Sequence, residues 1–192
     1  EIRDLKKKIN QKEDTRNMIV FYGSSTIRLW KNLHENFPKH NVLNLGFGGA
    51  FIESLEKYFE TLFHFSSPKA IVLYLGGNDL SLNYNPSKIV EMIKGLIFRI
   101  HEKFPKSQII NIGIKSSFER QKKLQAIRQI NNRMQELSSK ISYLNQVDLF
   151  DELMIDGNID KKYFLQDGLH LNKQGYIVLN KLLNAKLKIL KA

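Results

Sequence analysis

Ser25, Asp167 and His170 are the side chains of this sequence whose types and placement suit nucleophilic acyl transfer. Ser25 stands in Gly23-Ser24-Ser25-Thr26, directly after the apolar run at residues 18–22. A serine on a tight turn from strand to helix presents its hydroxyl where a helix start favours developing negative charge. Such a serine also serves as a helix cap, and Thr26 is the better cap if Ser25 reacts. Asp167 precedes His170 across Gly168-Leu169. One tight turn there brings the carboxylate to His170 Nδ1, which fixes the tautomer and leaves Nε2 as a general base. Serine, base and orienting acid together satisfy the logic of a catalytic triad. The ordinary role for Asp167 is turn formation before a glycine.

Acyl transfer also develops an oxyanion, which needs preorganised donors. Two glycine-bearing segments offer them. Asn44 to Gly49 (Asn-Leu-Gly-Phe-Gly-Gly) follows the apolar run 42–45, and Gly76-Gly77-Asn78-Asp79 follows the run 70–75. A glycine such as Gly49 lets a backbone N–H approach a reacting oxygen closely. The Asn78 amide donates without carrying charge. Both segments have plain alternatives, a turn needing positive φ and an Asx turn.

The elements between these segments must place them together. Short apolar strands are expected at 18–22, 42–45, 70–75, 108–114 and, more weakly, at 141–144 with a continuation toward 147. Helical patterns occupy 26–36, 52–63, 87–104 (Pro86 at its start), 118–138 and 172–190. Residues 1–17 form a polar helical lead-in with Ile2, Leu5 and Ile9 on one face. Fully apolar strands alternating with helices indicate βαβ units and a parallel sheet covered on both faces. The expected architecture is one α/β domain over 1–192, a three-layer α/β/α sandwich. In such sheets functional residues gather beyond the carboxyl ends of the strands, and all four segments fall there.

Composition narrows the function classes. The chain of 192 residues has no cysteine, which excludes disulfides and thiolate metal sites. No apolar run is long enough to span a bilayer. Thirty Lys and Arg against nineteen Asp and Glu give a net charge of +11. The basic residues are scattered and lack interleaved aromatics, so a solvated basic surface is expected and no nucleic acid partner. His34, His40, His64 and His101 show no metal-ligand spacing, and no cofactor is implied. Neither a G-x-S-x-G elbow nor a phosphate-binding glycine loop is present. The expected compartment is the cytoplasm, with a removed upstream segment left open because residue 1 is Glu.

The four segments resemble the signature blocks of the SGNH hydrolase superfamily, the GDSL-like lipases and esterases. Phe21 to Ile27 resembles the first block, with Ser25 in the nucleophile position. Asn44 to Gly49 resembles the second, with Gly49 at its oxyanion glycine. Gly76-Gly77-Asn78-Asp79 matches the third, G-x-N-D, and Asp167-Gly168-Leu169-His170 the fifth, D-x-x-H. Ser24 replaces the Asp that commonly precedes the nucleophile. The string Gly23-Ser24-Ser25-Thr26-Ile27-Arg28-Leu29-Trp30 is similar to a bacterial subgroup, in which Arg28 and Trp30 belong to the scaffold or the pocket.

The resemblance implies a flavodoxin-like, five-stranded parallel sheet and ester hydrolysis through an acyl-enzyme. The Ser25 and Gly49 N–H groups and the Asn78 amide would hold the oxyanion. So short a chain leaves little room for a lid, and a small acyl group, acetyl above all, on a carbohydrate or small metabolite is the expected substrate. Lysophospholipase or thioesterase action and a catalytically silent module for an acidic partner are the alternatives. Oligomeric state is not legible.

Overall fold

The computed structural model describes residues 1–11 and 17–189. Five apolar segments pair side by side: β1 (Ile19–Gly23), β2 (Val42–Gly46), β3 (Ala70–Tyr74), β4 (Gln108–Ile112) and β5 (Leu144–Val147). Every pairing is parallel and the spatial order is β2-β1-β3-β4-β5. This is the flavodoxin-like order, whose topological switch lies between β1 and β3. Parallel strands of this kind must be covered on both faces, and every residue of β1 and β3 is buried.

The helices are α1 (Ile2–Asn10), α2 (Ser25–Arg28), α3 (Leu33–Asn36), α4 (Ile52–Leu62), α5 (Pro86–Lys103), α6 (Leu124–Ser138) and α7 (Lys173–Ile189). Successive strand side chains point to opposite faces, so the core divides in two. Val20 and Tyr22 pack with Leu55, Phe59, Ile93 and Ile130 on one face, under α1, α4, α5 and α6. Ile19 and Phe21 pack with Trp30, Leu33, Leu179 and Leu183 on the other, under α2, α3 and α7. The three-layer α/β/α sandwich expected from the alternating pattern is therefore present. Ile9 of α1 is buried, and Ile2 and Leu5 pack beside it, as their spacing requires. Residues 12–16 of the lead-in and Leu190 of the last expected helix lie outside the described residues.

Three segments differ from expectation. The helix expected over 26–36 is two single turns, α2 and α3. The carbonyls that would continue α2 are claimed by distant side chains: Tyr176 Oη donates to Thr26 O at 2.9 Å and Asn44 Nδ2 to Ile27 O at 2.7 Å. Trp30 is thereby turned inward, between Phe21, Phe37 and Tyr176. The helix expected over 118–138 opens with a 3-10 turn (Phe118–Lys123) in which Arg120 departs from helical geometry, and α6 follows. The weak strand expected at 141–144 begins only at Leu144, because Leu144 N–H closes a turn onto Ile141 O. A small antiparallel hairpin, β6 (Met154–Ile155) with β7 (Asn158–Ile159), had no sequence signal.

Candidate active site

Gly23 ends β1 and lets the chain turn close against β3. Its φ is +154°, and a Cβ there would stand 2.2 Å from Tyr74 O, so no other residue fits. Ser24 N–H then donates to Tyr74 O at 3.0 Å, and Ser25 opens α2. The two neighbouring serines have different fates. Ser24 is 6% exposed, whereas Ser25 is half-buried and its Oγ lies 3.0 Å from His170 Nε2. Thr26 does not cap α2. Its hydroxyl is buried and receives a hydrogen bond from Lys115 Nζ at 3.4 Å.

Asp167 makes both kinds of contact considered for it. Oδ1 accepts from the N–H groups of Leu169 and His170, each at 2.9 Å, which shapes the turn around Gly168 at φ +64°. Oδ2 lies 2.7 Å from His170 Nδ1. The hydrogen bond to the His170 side chain, then the two backbone N–H bonds, hold the Asp167 carboxyl at about 2. An ionised carboxylate only accepts, so Nδ1 carries a proton and donates, which leaves Nε2 facing Ser25 Oγ. The Asp167 side chain is 47% exposed and that of His170 25%. Solvent therefore screens the acid's longer-range field, and its influence runs through the direct bond.

Gly49 and Asn78 belong to the loops after β2 and β3, the two strands flanking β1. Gly49 has φ +63° with open space where a Cβ would stand. Asn78 Nδ2 donates to Ala50 O at 3.0 Å, which joins the two loops. Gly49 and Asn78 line a common cleft of about 800 Å³. Asp79 locks the same junction from beneath. It is fully buried, and its Oδ1 accepts from Ile52 N–H at 3.0 Å, capping α4. Burial raises its carboxyl above the ordinary Asp value, against the hydrogen bond from Ile52.

Two cationic side chains at the site were not singled out from sequence. Arg120 Nη2 donates to Asn78 Oδ1 at 3.0 Å, and its side chain is only 12% exposed. Lys115, 2% exposed, donates to Tyr74 Oη at 3.2 Å. Burial pushes the Tyr74 phenol up, but the charges of Lys115 and Arg120 outweigh it and bring the phenol below its usual value. A lysine directly after the apolar run 108–114 was the available signal for Lys115. Of the pair noted with the first segment, Trp30 is core, with Nε1 donating to Asn36 Oδ1 at 2.6 Å, and Arg28 is exposed.

An all-parallel sheet in this order, with Ser25, His170 and Asp167 hydrogen-bonded at its carboxyl edge, matches the SGNH hydrolase superfamily expected from the four segments. The sequence pattern of the GDSL-like Lipase/Acylhydrolase family matches residues 20–178, and the chain belongs to that family. A solved structure described as a platelet activating factor from Streptococcus pneumonia is 25% identical, with a TM-score of 0.83 over 97% of this chain and 91% of that one. A GDSL-like lipase from Bacteroides thetaiotaomicron VPI-5482 is 19% identical, with a TM-score of 0.78 over 98% of each chain. No curated protein matches. Among the described residues no helix is long and apolar enough to cross a membrane.

Proposed function

We propose that this chain is a serine esterase that removes a small acyl group, acetyl in the leading reading, from a carbohydrate or small metabolite. The observation carrying the proposal is the continuous hydrogen-bonded chain from Ser25 Oγ through His170 to Asp167. Ser25 Oγ attacks the ester carbonyl while His170 Nε2 takes its proton, a step that positioned bases accelerate roughly 10²–10⁴-fold. The tetrahedral oxyanion is held by the N–H groups of Ser25 and Gly49 and by Asn78 Nδ2. Asn78 is anchored for this role, since Ala50 O and Arg120 hold its amide from both ends. Asp167 stabilises the imidazolium, which returns its proton to the departing alkoxide. Water, deprotonated by His170, then attacks the Ser25 ester and releases the acid.

The openness of the triad at Asp167, whose side chain is 47% exposed, favours a small acyl group over a long one. Much of the cleft is then left for the alcohol portion. p-Nitrophenyl esters of increasing acyl length, assayed with wild type and Ser25→Ala, test the reading. Turnover should be highest with acetate and be lost in Ser25→Ala. A maximum at long acyl groups would move the substrate to lysophospholipids or thioesters. Equal activity in the variant would overturn the mechanism.

A further inference from the structure

Resting on the reading that Ser25 reacts at this cleft, we infer that the enzyme selects esters bearing an anionic group, a carboxylate or phosphate, a few bonds from the scissile carbonyl. The juxtaposition behind this is Arg120 against Asn78. Asn78 takes one guanidinium nitrogen, Nη2, at 3.0 Å. Nε lies 3.7 Å from Glu119 Oε2. Among the described residues Nη1 has no hydrogen-bond partner, and it lies over Gly77, 3.3 Å from where a Cβ would be. The absence of a side chain at Gly77 thus leaves room for the guanidinium beside the oxyanion donors.

Arg120 thus turns one edge of its guanidinium to the cleft without a partner among the described residues, and its planar fork is matched by carboxylate or phosphate oxygens. The remaining charge of the cleft has the same sign. Lys122 and Lys123 also line it, and Glu119 is the one carboxylate to do so among the described residues. Glu119 is 55% exposed and pairs with Arg120 through Nε at 3.7 Å, and with Lys122 and Lys123 beside them the wall stays cationic. The apolar surfaces of Phe51, Leu80 and Phe118 lower the local dielectric and strengthen an ionic contact. A neutral acetyl ester uses none of this. An ester whose alcohol or acyl portion carries an anion satisfies Nη1 while its carbonyl oxygen sits at Asn78.

The test compares three aryl esters: neutral phenyl acetate, 4-acetoxybenzoate (anion on the alcohol side) and monophenyl succinate (anion on the acyl side). Wild type should prefer at least one anionic ester in kcat/KM, and the side preferred identifies the portion that carries the charge. Arg120→Met should lower kcat/KM for that ester roughly 10- to 100-fold more than for phenyl acetate, the worth of a charge-assisted hydrogen bond. Asn78→Ala should lower all three alike, which separates anion recognition from support of the oxyanion donor. In the unaltered enzyme the preference should shrink as salt is raised from low to physiological strength, because the exposed Lys122 and Lys123 share in the attraction and their field is screened. Neutral and anionic esters turned over equally by wild type, with no effect of salt, overturn the inference and leave the esterase reading standing. Turnover that survives Ser25→Ala overturns the esterase reading itself.

Discussion

His170 Nε2 stands 3.0 Å from Ser25 Oγ although 145 positions separate the two residues in the chain. The contact exists because β1 is flanked on both sides by parallel partners, which fixes where its carboxyl end points. The 167–170 turn meets that end immediately before α7. Asn172 secures this arrival. Its Oδ1 accepts from Gln174 and Gly175 N–H at the start of α7, while its Nδ2 donates to Lys162 O and Phe164 O.

Asp167→Asn should leave the fold intact and lower kcat roughly 10³–10⁴-fold, as expected when the orienting acid of a triad is neutralised. The Asn Oδ1 can keep the turn bonds, but its amide would face Nδ1 and demand the wrong tautomer. In wild type, Asp167 stays ionised down to about 2. The acid limb of the kcat/KM profile should therefore carry no contribution from Asp167 until the pH nears that value. A limb requiring two protons, or a variant within tenfold of wild type, would contradict the assignment.

Asn78→Ala removes a donor that is neutral and held at both ends. Steady-state kinetics on phenyl acetate should show kcat lower by about 10²–10³-fold with KM little changed, since the donor acts mainly on the developing oxyanion. A purely raised KM would instead assign Asn78 to ground-state binding.

Gly49 is confined by backbone conformation rather than by space, with φ at +63° and nothing within 4 Å of where a Cβ would stand. Gly49→Ala should cost about 1–2 kcal/mol for placing an L-residue in the left-handed region and reduce kcat by displacing the N–H. Gly49→Asn should retain more of both, because Asn tolerates that region. Urea denaturation with esterase rates on the two variants checks the order. Equal losses would mean that the positive φ is not the constraint.

Asp79 is buried with Oδ2 unpartnered and its carboxyl raised chiefly by burial. The unfolded chain then ionises first, near ~3.9, and the folded state binds more protons over the window from there up to the raised value. Stability attributable to this group falls as pH rises through that window. Asp79→Asn cannot ionise, so its urea midpoint relative to wild type should climb as pH rises from about 4 toward the raised value. Parallel curves for the two proteins would show that Asp79 does not titrate differently on folding.

Strands and most helices were legible because burial on both sheet faces forces continuous apolar runs, and 18–22, 42–45 and 70–75 have no other good use. The four loop segments could be placed on one edge by topology alone. What sequence could not convey were decisions made by remote partners. Residues 26–36 carry a helical pattern, yet Tyr176, 150 positions from Thr26, takes a carbonyl the helix needed. Arg120 reads as one more cation in the helical pattern over 118–138 until the loop after β3 brings Asn78 to it, 42 positions away. The hairpin of β6 and β7 is too short, at two residues per strand, for any alternation to register.

Covalent capture of the nucleophile tests the central claim most directly. The protein is treated with a fluorophosphonate, digested, and the adduct located by peptide mass spectrometry. The expected result is a single stoichiometric adduct on Ser25, absent from Ser25→Ala and strongly slowed in His170→Ala. An adduct on Ser24, or labelling unaffected by loss of His170, would contradict it.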